Sequence, residues 1–394
     1  MSMGGRIARA AGRWSALLGA VLCLVDPATA QELRIITSYQ EEVVEPMIEA
    51  FARRHPDIRV RVLNKNTPAA VSEMIAGNQR RFDLFWASAP EAFVVLDEAG
   101  RLLDQGRGAY ADFAMSALGW SWHVSRNDLF PEDWDDLLDP AFTGQIAMSH
   151  PMRSGTMHSL LETILQQRGW EEGWAWVLQL AGQLNTISAR SFGVLEGVEK
   201  DEFEIGLTID FLALTRNDLH FRYGTPVTLI PARIASLQGG QHPESADKFI
   251  GFVLSEDGQR ILLHPDVMRI PVDPRVQADA PQLPDAVKAA LSSGRALYDP
   301  KLAATRYWQV NQLFEAFIAR DLLLRRELWR RLGRLPARHG AEIAQARQLL
   351  TLMPLSEEQA RHAAPEQATV IEWASRSYGI LSEVEALIRH LEEQ

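Results

Sequence analysis

The chain has 394 residues, of which 46% are hydrophobic and 23% charged, so it is long enough for two or three compact globular units. Its formal net charge of -11 is opposite in sign to what a nucleic-acid-binding protein needs, which argues against that class. The single cysteine, Cys23, lies in the leader described next, so the exported protein is expected to have no thiolate or disulfide chemistry.

The first thirty residues have the pattern of a cleavable signal peptide. Three arginines precede a short apolar run at 14–25, and an A-x-A cleavage site ends at Ala30. The apolar run has about a dozen residues, whereas a membrane span needs about 20. Lipid attachment is not expected, because Cys23 follows Leu22 and not a small residue. We therefore expect cleavage near Ala30 and a soluble periplasmic product that does not span the membrane.

The next segment alternates between strand and helix periodicity. Strands are expected at 33–38, 58–63 and 82–87, and helices at 41–54, 69–76 and 92–99. This alternation predicts a parallel sheet covered by helices, and ligands of such sheets bind beyond the carboxyl ends of the strands. Two of these ends carry polar residues that we expect at a ligand site: Thr37, Ser38 and Tyr39 at one, and Ser88 at the other.

The rest of the chain predicts a second sheet and then a helical tail. Strands are expected at 120–124, 144–149, 205–210, 227–231 and 235–237, and helices at 156–168, 170–184, 245–254 and 256–263. Past Pro281 the strand pattern disappears. The amphipathic stretches 306–332, 341–350 and 368–393 predict an all-helical extension.

The segment from Ser149 to Thr156 follows a strand and opens a helix. The first turn of a helix has amide N–H groups without intrahelical partners and a positive dipole end. Ser154 or Thr156 can cap this helix, and Gly155 lets a ligand approach the backbone. The turn that begins at Arg153 therefore predicts an anion-binding cradle. An ordinary helix N-cap explains the same residues without a ligand.

A second candidate begins at Arg190, which is followed by Ser191 and Phe192. An arginine holds a phosphate or carboxylate through two parallel hydrogen bonds, although a surface arginine in a loop has the same local sequence. Asp210 ends a predicted strand, where it could accept hydroxyl hydrogen bonds from a sugar-like ligand or cap a helix. We expect Arg190 or Arg153, but not both, to make the main charge-assisted contact.

Motifs of known enzymes are missing from the sequence. It contains no Walker loop, no G-x-G-x-x-G, no G-x-S-x-G and no H-E-x-x-H motif, and its ten histidines show no close metal-ligand spacing. We therefore predict a protein that is not an enzyme and has no catalytic residues, cofactor or metal. Two alternatives stay open: a periplasmic phosphate-ester hydrolase, or a structural partner of a membrane complex that acts through its helical tail.

Several motifs resemble the periplasmic solute-binding proteins of ABC-type uptake systems. The likeness is to the type 2 periplasmic-binding fold, in the branch with iron(III)-, thiamine- and sugar-phosphate-binding members. It covers about 32–274, with its motifs at 34–38, 153–156, 197–210, 242–250 and 254–259. Iron-binding members use two adjacent tyrosines, but no two of the six tyrosines here are adjacent. Ferric iron held in that way is therefore not expected.

The resemblance implies an α/β protein with two lobes and a ligand in the cleft between them. The first lobe would comprise 31–115 and 223–276, the second 116–222, and a C-terminal all-helical extension would follow at 285–394. The segments 149–156, 166–170 and 186–194 and the tail are similar to regulatory binding proteins of phosphoglycerate transport. This similarity implies a small anionic metabolite, phosphorylated or carboxylated, that is presented to a membrane sensor kinase or an ABC permease. The tail would contact that partner, or pack on one lobe for stability.

Overall fold

The fold combines a mixed β-sheet, helices packed around it and a helical tail. The computed structural model describes residues 31–126, 130–364 and 366–394, so the predicted signal peptide lies outside the described residues. The strands are β1 (Gln31–Thr37), β2 (Ile58–Asn64), β3 (Leu84–Ala87), β4 (Ala111–His123), β5 (Ile146–Ser149), β6 (Leu184–Ser188), β7 (Ile205–Ile209), β8 (Leu219–Tyr223), β9 (Leu229–Ser236) and β10 (Ile270–Pro271). The helices are α1 (Glu41–Arg54), α2 (Thr67–Ile75), α3 (Pro90–Glu98), α4 (Gly155–Arg168), α5 (Trp170–Leu180), α6 (Ser191–Glu199), α7 (Asp210–Leu214), α8 (Pro243–Val253), α9 (Glu256–Ile261), α10 (Pro274–Ala278), α11 (Asp285–Ser293), α12 (Pro300–Thr305), α13 (Tyr307–Phe314), α14 (Leu322–Leu332), α15 (Gly340–Leu350), α16 (Glu357–His362) and α17 (Gln367–Glu392).

The first half of the sheet is the parallel β-α unit that the periodicity predicts. Strand β1 pairs in parallel with β2 on one side and with β3 on the other. Helix α1 buries Val44, Met47 and Phe51, which recur at helical spacing and so form one apolar face. The carboxyl ends of β1 and β3 lie side by side, which brings the two polar segments that follow them together.

Strand β4 runs through both halves of the sheet. Residues 111–117 pair with β9, whereas residues 118–123 pair with β7 and β8. The strand order along the sheet is β2-β1-β3-β9-β4-β7-β5-β6, and β5 is parallel to both β6 and β7. The long strand therefore connects the sheet that carries α1 to α3 with the sheet that carries α4 to α7.

Four of the sequence-based element assignments are wrong or incomplete. The strands expected at 227–231 and 235–237 are one strand, β9. It continues through Pro231, which pairs with Met115 of β4, and β3 pairs with it only at residues 233–236. Strand β4 begins at Ala111, although its alanine-rich first half has low strand propensity. The helix expected at 170–184 ends at Leu180, and β6 follows it. Strands β6 and β8 have no counterpart among the expected elements.

The helical tail is packed onto the rest of the molecule. In the described residues beyond Pro271 every regular element is helical, as expected. The side chains of Leu313, Phe314 and Phe317 are fully buried and belong to the main apolar core. The indole of Trp170 donates a hydrogen bond to the carbonyl oxygen of Leu355 in the tail at 2.7 Å. The tail therefore shares the core of the sheet domain, as its apolar face predicts.

Two further features of the described residues bear on the class of protein. Trp170, Trp174 and Trp176 on α5 are all buried, in keeping with the core role expected of this cluster. None of the helices in the described part of the chain has the length and apolar character needed to cross a membrane.

Candidate functional site

The first turns of six helices meet at one cleft. The helices are α1, α2, α3, α4, α6 and α7, and the lining residues are Ser38, Tyr39, Gln40, Asn66, Thr67, Ser88, Ala89, Arg153, Ser154, Gly155, Thr156, Arg190, Ser191, Phe192, Phe211 and Leu212. Ten of these residues were expected at the site from the sequence: Ser38, Tyr39, Ser88, Arg153, Ser154, Gly155, Thr156, Arg190, Ser191 and Phe192. The structure therefore brings together residues that are spread over more than 150 positions of the chain.

The electrostatics of the cleft favour an anion. The N-terminus of a helix carries the positive end of the helix dipole and amides without intrahelical partners. Each of these helices has this end at the cleft. The N-cap residues of α1, α3 and α6 make no side-chain hydrogen bond to these amides. In α7 the Phe211 amide is engaged by the carboxyl of Asp210. Among the described lining residues there are two arginines and no carboxylate. A phosphate or carboxylate is the kind of group that such an arrangement holds.

The enclosed part of the cleft is small. It measures about 50 Å³, whereas one water molecule needs roughly 10–15 Å³ measured in this way. It therefore has room for a group of a few heavy atoms, such as a phosphate. A wider groove of about 1520 Å³ adjoins it and shares Gln40 and Leu212 with it. An anionic group in the cleft could thus extend its carbon skeleton into the groove.

Three serine hydroxyls form a chain at the α4 side of the cleft. Ser154 caps α4, because its Oγ accepts a hydrogen bond from the Met157 amide at 3.2 Å. The same Oγ lies 2.7 Å from the Oγ of Ser191, which lies 3.1 Å from the Oγ of Ser149. Ser149 is expected from the sequence to contact the ligand, but it is fully buried and does not line the cleft. The N-cap role and the cleft role of Ser154 therefore coexist, and Ser149 supports the site from beneath.

Gly155 allows α4 to approach α2 and α3 closely. A Cβ atom at this position would lie 2.6 Å from the Cβ of Ala89 and 3.0 Å from the Oγ1 of Thr67. Real Cβ atoms essentially never approach another atom as closely as 2.6 Å, so a larger residue would push the helix ends apart. The glycine predicted to admit a ligand therefore also sets the width of the cleft.

The two candidate arginines occupy different environments. Arg190 is partly buried; its Nη2 donates to the Oδ1 of Asn64 at 2.7 Å, and its guanidinium lies 5.1 Å from the ring centre of Phe192. Partial burial lowers the pKa of Arg190, but an arginine remains charged at physiological pH. Arg153 is exposed at the rim of the cleft. Which of the two makes the main contact with a ligand stays a prediction.

Thr37 is expected at the site but does not line the cleft. It is fully buried, and its Oγ1 donates to the carbonyl oxygen of Trp86 at 2.6 Å. The same oxygen accepts a hydrogen bond from the Tyr39 amide at 3.1 Å. Thr37 therefore fixes the turn that presents Tyr39, and its hydroxyl is occupied by this structural role.

Asp210 also lies behind the cleft, not in its wall. It is the first residue of α7 and is 1% exposed. Its two carboxyl oxygens accept hydrogen bonds from the amides of Ala117 and Phe211, at 2.9 and 2.8 Å. Burial raises the pKa of this carboxyl from 3.8 to about 7. The sequence left a helix N-cap open as the alternative role, but Ile209 is the N-cap residue of α7 and Asp210 is the first residue inside the helix. Its contact with Ala117 instead ties the start of α7 to β4.

Six lining residues were missed from the sequence: Gln40, Asn66, Thr67, Ala89, Phe211 and Leu212. The segment from Asn66 to Pro68 carried a usable signal, because an Asn followed by a proline in the first turn is typical of a helix start.

No cluster of three or more His, Cys, Asp or Glu side chains suited to a metal ion occurs in the part of the chain that the structure describes.

Comparisons with known proteins agree with this fold. The family model described as bacterial extracellular solute-binding protein matches residues 100–292. The phosphoglycerate transport regulatory protein PgtC of Salmonella typhimurium is 30% identical over 353 residues, which cover 83% of this chain and 87% of PgtC. The periplasmic binding protein P5PA superposes with a TM-score of 0.63 at 18% identity, covering 73% of this chain and 99% of P5PA. The periplasmic binding protein AfuA from Actinobacillus pleuropneumoniae, with exogenous fructose-6-phosphate bound, superposes with a TM-score of 0.59 at 16% identity. The superposition covers 64% of this chain and 88% of AfuA.

The structural likenesses confirm the expected fold class, an α/β periplasmic-binding fold with a C-terminal helical region. The family and these structural neighbours are binding proteins, not enzymes. The match to PgtC extends over most of both chains and so includes much more than the segment that the family model covers. The chain belongs to the bacterial extracellular solute-binding proteins.

Proposed function

We propose that this protein is a periplasmic solute-binding protein that captures a small phosphorylated acid of the phosphoglycerate class in the cleft. The observation that carries the proposal is the convergence of six helix N-termini and two arginines on a cleft whose described lining has no carboxylate. In a chain of net charge -11, such a local excess of donors and positive charge suits an anionic ligand.

The ligand class follows from size and from the relatives. The enclosed volume of about 50 Å³ suits one phosphate group, and the adjoining groove takes a short carbon chain. The name of PgtC links that protein to phosphoglycerate, and AfuA holds fructose-6-phosphate. Phosphoglycerate and fructose-6-phosphate are both phosphorylated metabolites. This favours a phosphate ester over a simple dicarboxylate as the ligand of this chain.

Binding is proposed to close two lobes, 31–115 with 223–276 and 116–222. In support, β4 changes its pairing partners between Ala117 and Leu118, and the chain returns to β9 after Tyr223. These two crossings are suited to act as a hinge. The cleft residues come from both proposed lobes, so a ligand bridging them would favour the closed arrangement.

The binding experiment is thermal unfolding of the protein from Gln31 onward against a panel of anions. The panel contains 2- and 3-phosphoglycerate, phosphoenolpyruvate, hexose phosphates, inorganic phosphate, dicarboxylates and ferric citrate. A ligand at a hundred times its Kd adds about 2.7 kcal/mol to the free energy of unfolding. We expect a three-carbon phosphorylated acid to raise the midpoint most. No shift with any of the anions would contradict the proposal.

The membrane partner is proposed to be a sensor kinase or an ABC permease, contacted through the tail. Ile371 and Tyr378 lie seven residues apart on α17, hence on one face of the helix, and are 56% and 60% exposed. Lysine at both positions is expected to abolish the cellular response to phosphoglycerate while ligand binding by the purified protein stays intact. Leu323→Lys, at an exposed position of α14, is the matched control. A normal response in the double variant would contradict the role of this face.

A further inference from the structure

A buried arginine without a carboxylate partner lies directly behind the cleft. Arg269 is 2% exposed, and no carboxylate oxygen of the described residues lies within salt-bridge distance of it. Its guanidinium carbon is 3.8 Å from the ring centre of Phe211 and 4.2 Å from that of Tyr39. Its Nη1 has no hydrogen-bond partner among the described residues. The aromatic faces stabilise the cation partly, but its charge is not neutralised.

An unpaired buried charge is costly, so its retention calls for an explanation. Burial lowers the pKa of the Arg269 guanidinium, but an arginine is not deprotonated in proteins. The acidic groups that feel its charge are Tyr39 and then Asp210. The carboxyl of Asp210 lies beyond salt-bridge distance and accepts hydrogen bonds from the amides of Ala117 and Phe211. An anionic ligand bound in the cleft would supply a negative charge that compensates the charge of the Arg269 guanidinium.

A hydrogen-bond relay leads from this cation into the cleft. The Nη2 of Arg269 donates to the Oγ of Ser88 at 3.1 Å, and that Oγ donates to the phenolic oxygen of Tyr39 at 2.9 Å. Ser88 and Tyr39 both line the cleft, whereas Arg269 does not. Because the tyrosine oxygen accepts from Ser88, its own O–H proton stays available for a group in the cleft. The cation polarises both hydroxyls in the direction that strengthens donation to an anion.

We infer that Arg269 is a positioning residue that selects anionic ligands, acting through Ser88 on the hydroxyl of Tyr39, which donates to a phosphate or carboxylate oxygen. This inference rests on the proposed function and adds to it the source of the charge selectivity. It also explains why a buried cation persists without a partner: the ligand is its counter-charge. A purely structural arginine would instead direct its guanidinium to acceptors of the fold, as the buried Arg325 does toward the carbonyl oxygens of Phe317 and Leu350.

Arg233 offers a matched control. It is also buried, at 7% exposure, and lies 4.3 Å from the ring centre of Tyr110, but its Nε donates to Asp112 at 2.7 Å. We expect Arg269→Met to bind 3-phosphoglycerate about tenfold or more weakly with no fall in the unfolding midpoint of the ligand-free protein. Arg233→Met is expected to show the reverse, a lower midpoint and an unchanged Kd.

The relay has a test that does not depend on replacing the arginine. Tyr39→Phe and Ser88→Ala are each expected to weaken 3-phosphoglycerate binding about tenfold. The double variant should bind no more weakly than the weaker of the two single variants, because both remove the same interaction. Independent, multiplying losses would show that the two hydroxyls do not act in series and would overturn the relay.

The outcomes separate this inference from the function on which it rests. If the wild-type protein binds none of the anions in the panel, the proposed function fails and the inference falls with it. If the wild type binds 3-phosphoglycerate and Arg269→Met binds it equally well, the function stands and the inference alone is overturned. The same holds if Arg269→Met loses only stability. If Arg269→Met does not fold, the Tyr39→Phe and Ser88→Ala variants test the inference in its place.

Discussion

The hydroxyls of Ser154 and Ser191 lie 2.7 Å apart and join the first turns of α4 and α6. One of them caps α4, and both line the cleft. Two helix dipoles are thereby held in a fixed relation to one small volume.

Ser154→Ala is predicted to affect both stability and binding. Loss of the N-cap costs about 1 kcal/mol of the free energy of unfolding, and loss of a donor in the cleft weakens 3-phosphoglycerate binding about tenfold. Urea denaturation and calorimetry measure the two effects. Ser255 caps α9 in the same way, at 3.2 Å from the Gly258 amide. Ser255→Ala should therefore cost similar stability and leave Kd unchanged; an unchanged Kd in Ser154→Ala would remove that serine from the site.

The two arginines are predicted to contribute unequally. Arg190 is held by Asn64 and by the ring of Phe192, so its guanidinium is already ordered, whereas Arg153 is exposed. An ordered side chain loses less conformational entropy when a ligand binds. We expect Arg190→Ala to raise the Kd for 3-phosphoglycerate about tenfold or more, and Arg153→Ala to raise it about threefold or less. Equal losses in titrations of both variants would contradict the expectation of one main contact.

Asp210 is predicted to make a distinct contribution to the pH dependence of stability. Its pKa is about 7 in the folded protein, against 3.8 ordinarily, so between these values the folded state keeps a proton that the unfolded chain has released. Stability from this group is therefore present at about pH 4 and is lost as the pH rises toward 7. The difference in free energy of unfolding between wild type and Asp210→Asn should fall across this window and level off above it. A constant difference would show that the carboxyl is ionised throughout.

The contact between Arg306 and Glu162 is predicted to hold the tail on α4. The two side chains are 2% and 0% exposed, and their charged groups approach to 2.9 Å. Arg306→Ala leaves a buried carboxylate without its partner, which typically costs about 3–5 kcal/mol. Arg376→Ala breaks an exposed ion pair with Glu372 on α17 and should cost less than about 1 kcal/mol. Urea unfolding of both variants checks this; equally small losses would mean that the pair contributes little to the tail's attachment.

The parts of the fold that could be predicted from sequence are those with local signals. Helix α1 has the bounds expected from the spacing of Val44, Met47 and Phe51. The turn at Gly155 was recognisable because a strand, a capping serine and a glycine follow one another in the chain. The end of a strand and the start of a helix are each marked by a few consecutive residues. Ten of the cleft residues could therefore be predicted from the sequence.

The parts that could not be predicted depend on distant pairing and on burial. Strand β4 owes its length to β9, more than a hundred residues away in the chain, and not to its own alanine-rich sequence. Arg269 meets Ser88 across 181 positions, and nothing near it in the sequence indicates a site. Thr37 has the residue type and the strand-end position of a ligand contact, but only the tertiary packing shows that its hydroxyl is already engaged.

The most direct test of the central claim is a calorimetric titration of the protein from Gln31 onward with 3-phosphoglycerate and, in parallel, with glycerate. The two compounds share the carboxylate and the carbon chain and differ in the phosphate. If the cleft formed by the six helix ends holds the phosphate, 3-phosphoglycerate should bind with one site per chain and glycerate at least about a hundredfold more weakly. Equal binding of the two compounds, or binding of neither, would contradict the account.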